Sequence, residues 1–314
     1  MSRIVITGGT GQVGTLLAHH FRNRNWDVVV LGRHHVKTPG RFIAWNAKTL
    51  GNWVAELEGA DVLINLAGAT VNCRYSARHR REIRDSRVDS TRILGKAMTL
   101  LTHSPHTWLQ ASTATIYAHR FDTANDESGP LGGTEPNAPD TWRFSIEVAK
   151  AWEAAAREAV LPHTRLVLLR SAMVMSPTPG GVFATLLRLI RLALGGTMGN
   201  GKQYVSWIHE ADFVRAIDWV LEHKTIAGPI NLCAPNPLPN AEFMATFRKA
   251  SGHFLGFPAT EGMLELGAIL LRTETELVLK SRRVVPGLLL KQRFTFQYPD
   301  WPGAAKDLYE RTCQ

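Results

Sequence analysis

The chain reads as an α/β protein, a doubly wound parallel sheet followed by a smaller α/β region, and three observations predict this. Short β-branched runs alternate with stretches of helical periodicity through the first half. Glycines recur every third residue directly between the first such run and the first helix. After about Ser176 the texture changes to proline and glycine clusters. In order, "RIVITGG" is a strand, "GQVGTLLAHHFRNR" has helical spacing, "DVVVLGR" is a strand again, "ADVLINLAG" is a third apolar run and "HTWLQAST" a fourth. "TRLVLLRSAMVM" adds a fifth or sixth strand. Strands that alternate with helices form βαβ units, which put a parallel sheet between two helical layers. Residues 1–170 are therefore read as the sheet domain and 171–314 as a smaller substrate-binding region, some of whose segments return to the sheet. That second region holds "SPTPGG", "CAPNPLPN", several amphipathic helices and a late "QRFTFQYP" that alternates like an edge strand.

Composition narrows the functional classes. With 314 residues, 45% hydrophobic and 20% charged, the chain has the make-up of a globular protein rather than a disordered one. Lys and Arg outnumber Asp and Glu, 36 to 27, and the net charge of +9 favours anionic partners without choosing among them. Cys73, Cys233 and Cys313 lie far apart, with no spacing that suits a metal site or redox pair, so no metal is expected and a reducing compartment fits. Met1 leads through Arg3 straight into a strand without a secretory leader, and a cytoplasmic protein is the expectation. The most apolar stretch, "GGVFATLLRLIRLALGG", carries Arg188 and Arg191 and is too short to span a bilayer, so no membrane partner is expected.

The glycine pattern carries most of the functional information. Gly8 permits a tight turn, Gly11 lets the backbone approach a pyrophosphate, and Gly14 lets helix and strand pack closely, while the helix N-terminus attracts phosphate charge. At the end of the second strand, where a carboxylate would bind an unmodified ribose, "VVVLGRHH" places Arg33, followed by His34 and His35, which read as loop residues. An arginine fork suits a 2′-phosphate, so the expected cofactor is NADP(H).

Several motifs together carry a family resemblance: "TGGTGQVG", "NLAG", "DSRVDSTRIL", "STATIY", "AWEAA" and "WIHEADFVRAI". In this order they resemble the extended and atypical short-chain dehydrogenase/reductases. More narrowly, the chain is similar to an epimerase-like branch whose members end in a small domain of unknown function, here "RRVVPGLLLKQRFTFQYPDWPGAAKDL". The resemblance implies a Rossmann domain that binds NADP(H). With the glycines and Arg33, the matched motifs imply cofactor contacts from Thr7, Gln12, Val13, Leu66, Ala67, Gly68, Ser112 and Lys150.

The family's proton-transfer dyad is a tyrosine with a lysine four residues on, assisted by an orienting hydroxyl. "STATIY" offers Thr113 as that hydroxyl, with Ser112 beside it. The dyad itself is missing. Set by Lys150, the frame puts Ile146 at the tyrosine position; set by Glu153, it gives Ser145 and Ala149. Tyr117 and His209 are the titratable candidates to substitute, so the catalytic set is read as Thr113, Tyr117 and His209, with capping of the following helix as the plain alternative for His209. Glu127 reads as a loop carboxylate near the cleft, and Arg74 as a residue placed to meet an anion. The glycine-rich run from Gly195 to Gly201, with Lys202 and Gln203, reads as part of the substrate pocket or as a plain surface turn.

The arginine-rich "CRYSARHRREIRDSR" reads as a solvated helix in which Glu82 and Asp85 follow Arg78 and Arg81 by four residues; nucleic acid is not favoured as a partner. Two functions are carried forward. One is an NADP-dependent oxidoreductase or nucleotide-sugar-epimerase-like enzyme acting on a small polar or anionic metabolite, with a homodimer open as its assembly. The other is a catalytically silent NADP(H)-sensing protein.

Overall fold

The computed structural model describes residues 1–136, 138–271 and 273–313. The alternation seen in the sequence becomes β1 (Arg3–Thr7), α1 (Gln12–Asn23), β2 (Asp27–Gly32), β3 (Arg41–Ala44), β4 (Val62–Asn65), α2 (Ala77–Met98), β5 (Thr107–Thr113), α3 (Asp140–Ala159) and β6 (Arg165–Ser171). Next come β7 (Met173–Met175), α4 (Val182–Arg191), β8 (Tyr204–Val205), β9 (Trp207–His209), α5 (Glu210–Glu222) and β10 (Gly228–Leu232). β11 (Leu238–Pro239), α6 (Asn240–Ala250), α7 (Glu261–Leu271), α8 (Glu276–Leu279), α9 (Gly287–Lys291) and α10 (Trp301–Glu310) follow.

Seven strands form one parallel sheet in the order β10-β6-β5-β4-β1-β2-β3, the doubly wound arrangement with the expected return of a later segment, β10, to its edge. Chain order reverses between β1 and β4, which is where such sheets open a crevice beyond the carboxyl ends of their strands. Apolar strands are sandwiched on both faces. Leu17 and Phe21 of α1 and Phe213 and Ile217 of α5 cover one face; Leu94 and Met98 of α2, with Trp53 and Trp108, cover the other. A separate core, built on Phe183, Trp207, Phe247 and Trp301, holds α4, α6 and α10 together.

Two local expectations are corrected. β3 is an additional strand: "RFIA" pairs with β2 while both its end residues stay exposed, so it carries no alternating apolar signature. "QRFTFQYP" is not a strand. Its Phe294 and Phe296 pack on the α5 side of the sheet, and the amides of Gln297 and Tyr298 donate to the Asp212 carboxylate at 2.8 and 2.7 Å, so a side chain replaces the partner strand.

One buried ion pair ties the layers at the carboxyl edge. Glu153 of α3 takes two hydrogen bonds from the Arg170 guanidinium of β6, 2.8 and 2.9 Å long, and a third from Ser112 of β5 at 2.7 Å. Arg170 holds the Glu153 carboxyl below its usual range, against a burial that pushes the other way. Arg170→Met removes two of the bonds that hold that carboxylate, leaving Ser112 and the half-exposed Arg157, and is expected to cost about 2–4 kcal/mol in chemical denaturation; a loss under about 1 kcal/mol would contradict the tie.

Candidate functional site

Two chambers open at the carboxyl edge of the sheet. The first, about 290 Å³, lies over the glycine turn and is lined by Gly8, Gly11, Arg33, Asn46, Lys48, Leu66, Ala67 and Gly68, among others. Gly8 has φ +66°, and a Cβ there would meet the Leu66 carbonyl oxygen at 2.7 Å. At Gly14 a Cβ would lie 2.4 Å from the Gly9 Cα, whereas at Gly11 nothing but the Gly8 oxygen comes near, at 3.5 Å. Turn, packing and open approach are thus divided among the three glycines.

The same end of α1 fits a phosphate. Gly11 caps the helix without a side chain, so the amides of the first turn have no side-chain acceptor. The Gln12 side-chain nitrogen is buried with no partner. Arg33 and Lys48 are exposed at the far rim, beside the end of β2. An open cradle, an unpaired buried donor and two cations suit a dinucleotide with an additional phosphate on its ribose. Thr7 serves this chamber indirectly: its hydroxyl donates to Asn65 at 2.6 Å, and Asn65 also receives the Ala67 amide, so the pair fixes the Leu66–Gly68 turn instead of facing the chamber.

The second chamber, about 450 Å³, extends from Gln12, Val13 and Leu66 along the ends of β5 and β6. Its walls are mainly apolar, with Val71, Ile83, Phe144, Val148, Trp152 and Phe213, and Tyr75, Thr113 and Ser145 also line it. The Thr113 oxygen accepts from the Thr115 amide at 3.2 Å, leaving its hydroxyl hydrogen for a ligand oxygen. The frame of the missing dyad is settled here. Ser145, Val148, Ala149 and Trp152 form one stripe of α3 along this wall. Ile146 is buried against Gly132 and Gly133, and Lys150 donates to the Gly132 carbonyl at 2.6 Å. Ser145 and Ala149 therefore face the cleft where the family has tyrosine and lysine, and Lys150 is a strut for the 132–133 loop.

Other candidates are placed elsewhere. Tyr117 is 1% exposed; it donates to Asn231 at 2.7 Å and accepts from Arg170 at 2.9 Å, and burial pushes its phenol up to about 12. Its proton is committed to the core, not to the cleft. His209 is also 1% exposed: Nδ1 caps α5 by accepting from Ala211, Nε2 meets Asp307 at 3.0 Å, and the ring stacks on Tyr298. It is the structural cap of the plain alternative. The Ser112 hydroxyl is turned to Glu153.

Glu127 accepts from the amides of Asn231 and Leu288, and Arg74 is spent on Glu265 and Glu274. The Gly195–Gly201 run is a packed turn away from the chamber lining; Gln203 donates to the carbonyls of Met198 and Val278. Among the described residues no His, Cys, Asp or Glu group suits a metal ion, and no helix is long and apolar enough to cross a membrane.

Three residues of the chamber are not among the candidates the sequence offers for it. Tyr75 sits in the arginine-rich run, where charge dominates the pattern. Arg87 lies on the wall, its Nη1 donating to the Ala69 and Ile83 carbonyls and its plane over Trp152, and loss of hydration brings it down to about 10. Glu276 reaches the chamber from the C-terminal segment, where Arg282 holds it at 2.6 Å. No spacing in the sequence joins these positions, which are drawn from three separate elements.

A doubly wound sheet with a glycine turn at its switch point and a mainly apolar cleft beside it is the architecture of the short-chain dehydrogenase/reductases. Comparison with known proteins makes the assignment narrower. Residues 4–233 match the model of the NAD dependent epimerase/dehydratase family, and residues 261–308 match a domain of unknown function, DUF1731. The chain belongs to the NAD-dependent epimerase/dehydratase family. It is 31% identical to the epimerase family protein SDR39U1 of Mus musculus, across 98% of this chain and 99% of that protein. An epimerase family protein of Staphylococcus epidermidis is also 31% identical, with the same coverage. The crystal structure of human SDR39U1 with NADPH superposes with a TM-score of 0.85 at 29% identity, covering 98% of this chain and 99% of that one.

The glycine assignments separate in experiment. Gly14→Ala is expected to cost about 1–3 kcal/mol through backbone overlap, while Gly11→Ala keeps the melting temperature and loses dinucleotide affinity; thermal unfolding and fluorescence titration read the two. Burial lowers His209 below the unfolded value of about 6.5, so the unfolded chain takes up the proton first and stability falls as pH drops through that value. His119 has the same sign. His209→Asn, which preserves a capping side chain, is expected to flatten part of that slope in melting curves between about pH 5 and 8.

Proposed function

We propose that the chain is an NADP(H)-dependent oxidoreductase that interconverts a carbonyl and a hydroxyl on a small substrate with an apolar body and a polar or anionic head. One observation supports this reading: Leu66 lines both chambers, so the glycine cradle and the cleft adjoin at the switch point. A dinucleotide bound with its ribose phosphate at Arg33 and Lys48 would direct its other end toward Thr113 and supply hydride chemistry there. The chain's own residues do the rest. Thr113 orients the substrate oxygen, Val148, Trp152 and Phe213 exclude water, and Arg87 offers a positive charge to an anionic head. Few polar side chains are available to the hydroxyls of a sugar, so reduction of a compact carbonyl is favoured over sugar epimerisation. Crystallisation of the human relative with NADPH supports the choice of cofactor.

A second reading, an NADP(H)-sensing protein without turnover, is favoured by one observation: Ser145 and Ala149 stand at the dyad positions. Titration with NADPH and NADH, followed by a panel of carbonyl compounds, separates the two. Arg33→Ala is expected to weaken NADPH by about 10–100-fold and leave NADH unchanged. Thr113→Ala is expected to slow NADPH oxidation without loss of affinity. Tight binding with no oxidation by any carbonyl supports the sensor, and a preference for NADH contradicts the role given to Arg33.

A further inference from the structure

We propose that Tyr75 is the proton donor of this site, supplying from the loop after β4 the phenol that α3 lacks. The inference rests on the oxidoreductase reading and deepens it. Ser145 occupies the tyrosine position of α3, and Tyr75, carried by the loop after β4, lines the same chamber. The two replace one residue: the phenol enters from another element and Ser145 connects it to solvent.

The Tyr75 ring is held for such a task. Its amide donates to Glu274 at 2.6 Å, its carbonyl receives Arg80 Nε at 2.9 Å, and its ring packs edge-on against Phe144 with centroids 5.1 Å apart. Only 8% of the residue is exposed. Preorganisation of this kind is what a proton-transfer group requires, because a displaced donor loses rate steeply. Tyr117 differs in kind, since Asn231 and Arg170 saturate its hydroxyl.

In the reduction, the carbonyl carbon gains the hydride of the dihydronicotinamide while its oxygen takes the Tyr75 proton, the C=O π pair becoming the new O–H bond. The phenolate left behind regains a proton from water through Ser145. Arg282 and Arg87 lie near enough to favour that phenolate, and Glu276 opposes it. Burial and the Glu276 charge push the phenol up to about 12, so Tyr75 stays a donor across the neutral and mildly alkaline range.

The test compares wild type, Tyr75→Phe, Tyr117→Phe and the double variant Tyr75→Phe with Ser145→Tyr. Tyr75→Phe is expected to keep wild-type NADPH affinity and lose about 100-fold or more in NADPH oxidation with aromatic aldehydes and ketones. The double variant returns a phenol to α3 and is expected to recover part of that rate, which a structural role for Tyr75 would not allow. A second readout needs no turnover. With 3-fluorotyrosine at the five tyrosines, the ¹⁹F resonance that Tyr75→Phe removes should move on addition of NADP⁺, and the one that Tyr117→Phe removes should not. Undiminished oxidation by Tyr75→Phe, or a Tyr75 resonance unmoved while NADP⁺ binds, overturns the proposal and leaves the oxidoreductase reading standing. Wild-type protein that binds NADPH and oxidises it with no carbonyl defeats that reading and the proposal with it.

Discussion

The arrangement of the site depends on the ion pair between Glu153 and Arg170. Two charges removed from water at 1% and 5% side-chain exposure are tolerable only when each is paired and hydrogen-bonded, and here the accessory bonds come from Ser112, Arg157 and Tyr117. Those partners belong to β5, α3 and the loop after β5, and Tyr117 passes the link to Asn231 on β10. The network fixes the rotation of α3 about its axis. Once Glu153 faces the sheet, the preceding turns have no freedom: Ser145, Val148, Ala149 and Trp152 must present their stripe to the cleft.

The C-terminal segment secures the opposite side. Lys280, buried and brought down to about 7 chiefly by loss of hydration, donates to the carbonyls of Thr115 and Tyr117, the latter at 3.0 Å. Arg282 donates to the Thr115 hydroxyl at 2.9 Å and holds Glu276 at the cleft, while Glu274 receives the Tyr75 amide. Residues matched by the domain of unknown function thereby hold the turn that follows Thr113 and the loop that carries Tyr75. The second unit is part of the site and not an appendage to a complete one.

What was legible in the sequence was what the backbone alone dictates. Glycines at positions 8, 11 and 14 report steric demands that no side chain meets, and β-branched runs report a sheet buried on both faces. Side-chain direction was not legible. Neighbouring helical positions such as Ser145 and Ile146 point about 100° apart, and only the buried Glu153 decides which enters the cleft. "STATIY" places Tyr117 four residues after Thr113, yet the short helical turn at Ala114–Ile116 rotates it into the core. His209 has the chemistry of a catalytic base and the position of a helix cap, and its burial decides for the cap. Tyr75 was hidden for the opposite reason, a lone aromatic within a run dominated by charge.

The central proposal is that the chamber at Arg33 and the chamber lined by Thr113, Tyr75 and Ser145 act as one site, and a crystal structure of the protein with NADP⁺ tests it most directly. The ribose phosphate is expected within hydrogen-bond distance of Arg33, the pyrophosphate on the amides of Gln12 and Val13, and the nicotinamide facing Thr113 and Tyr75. A nicotinamide turned out of the apolar chamber, or a ribose phosphate that leaves Arg33 in solvent, would contradict it.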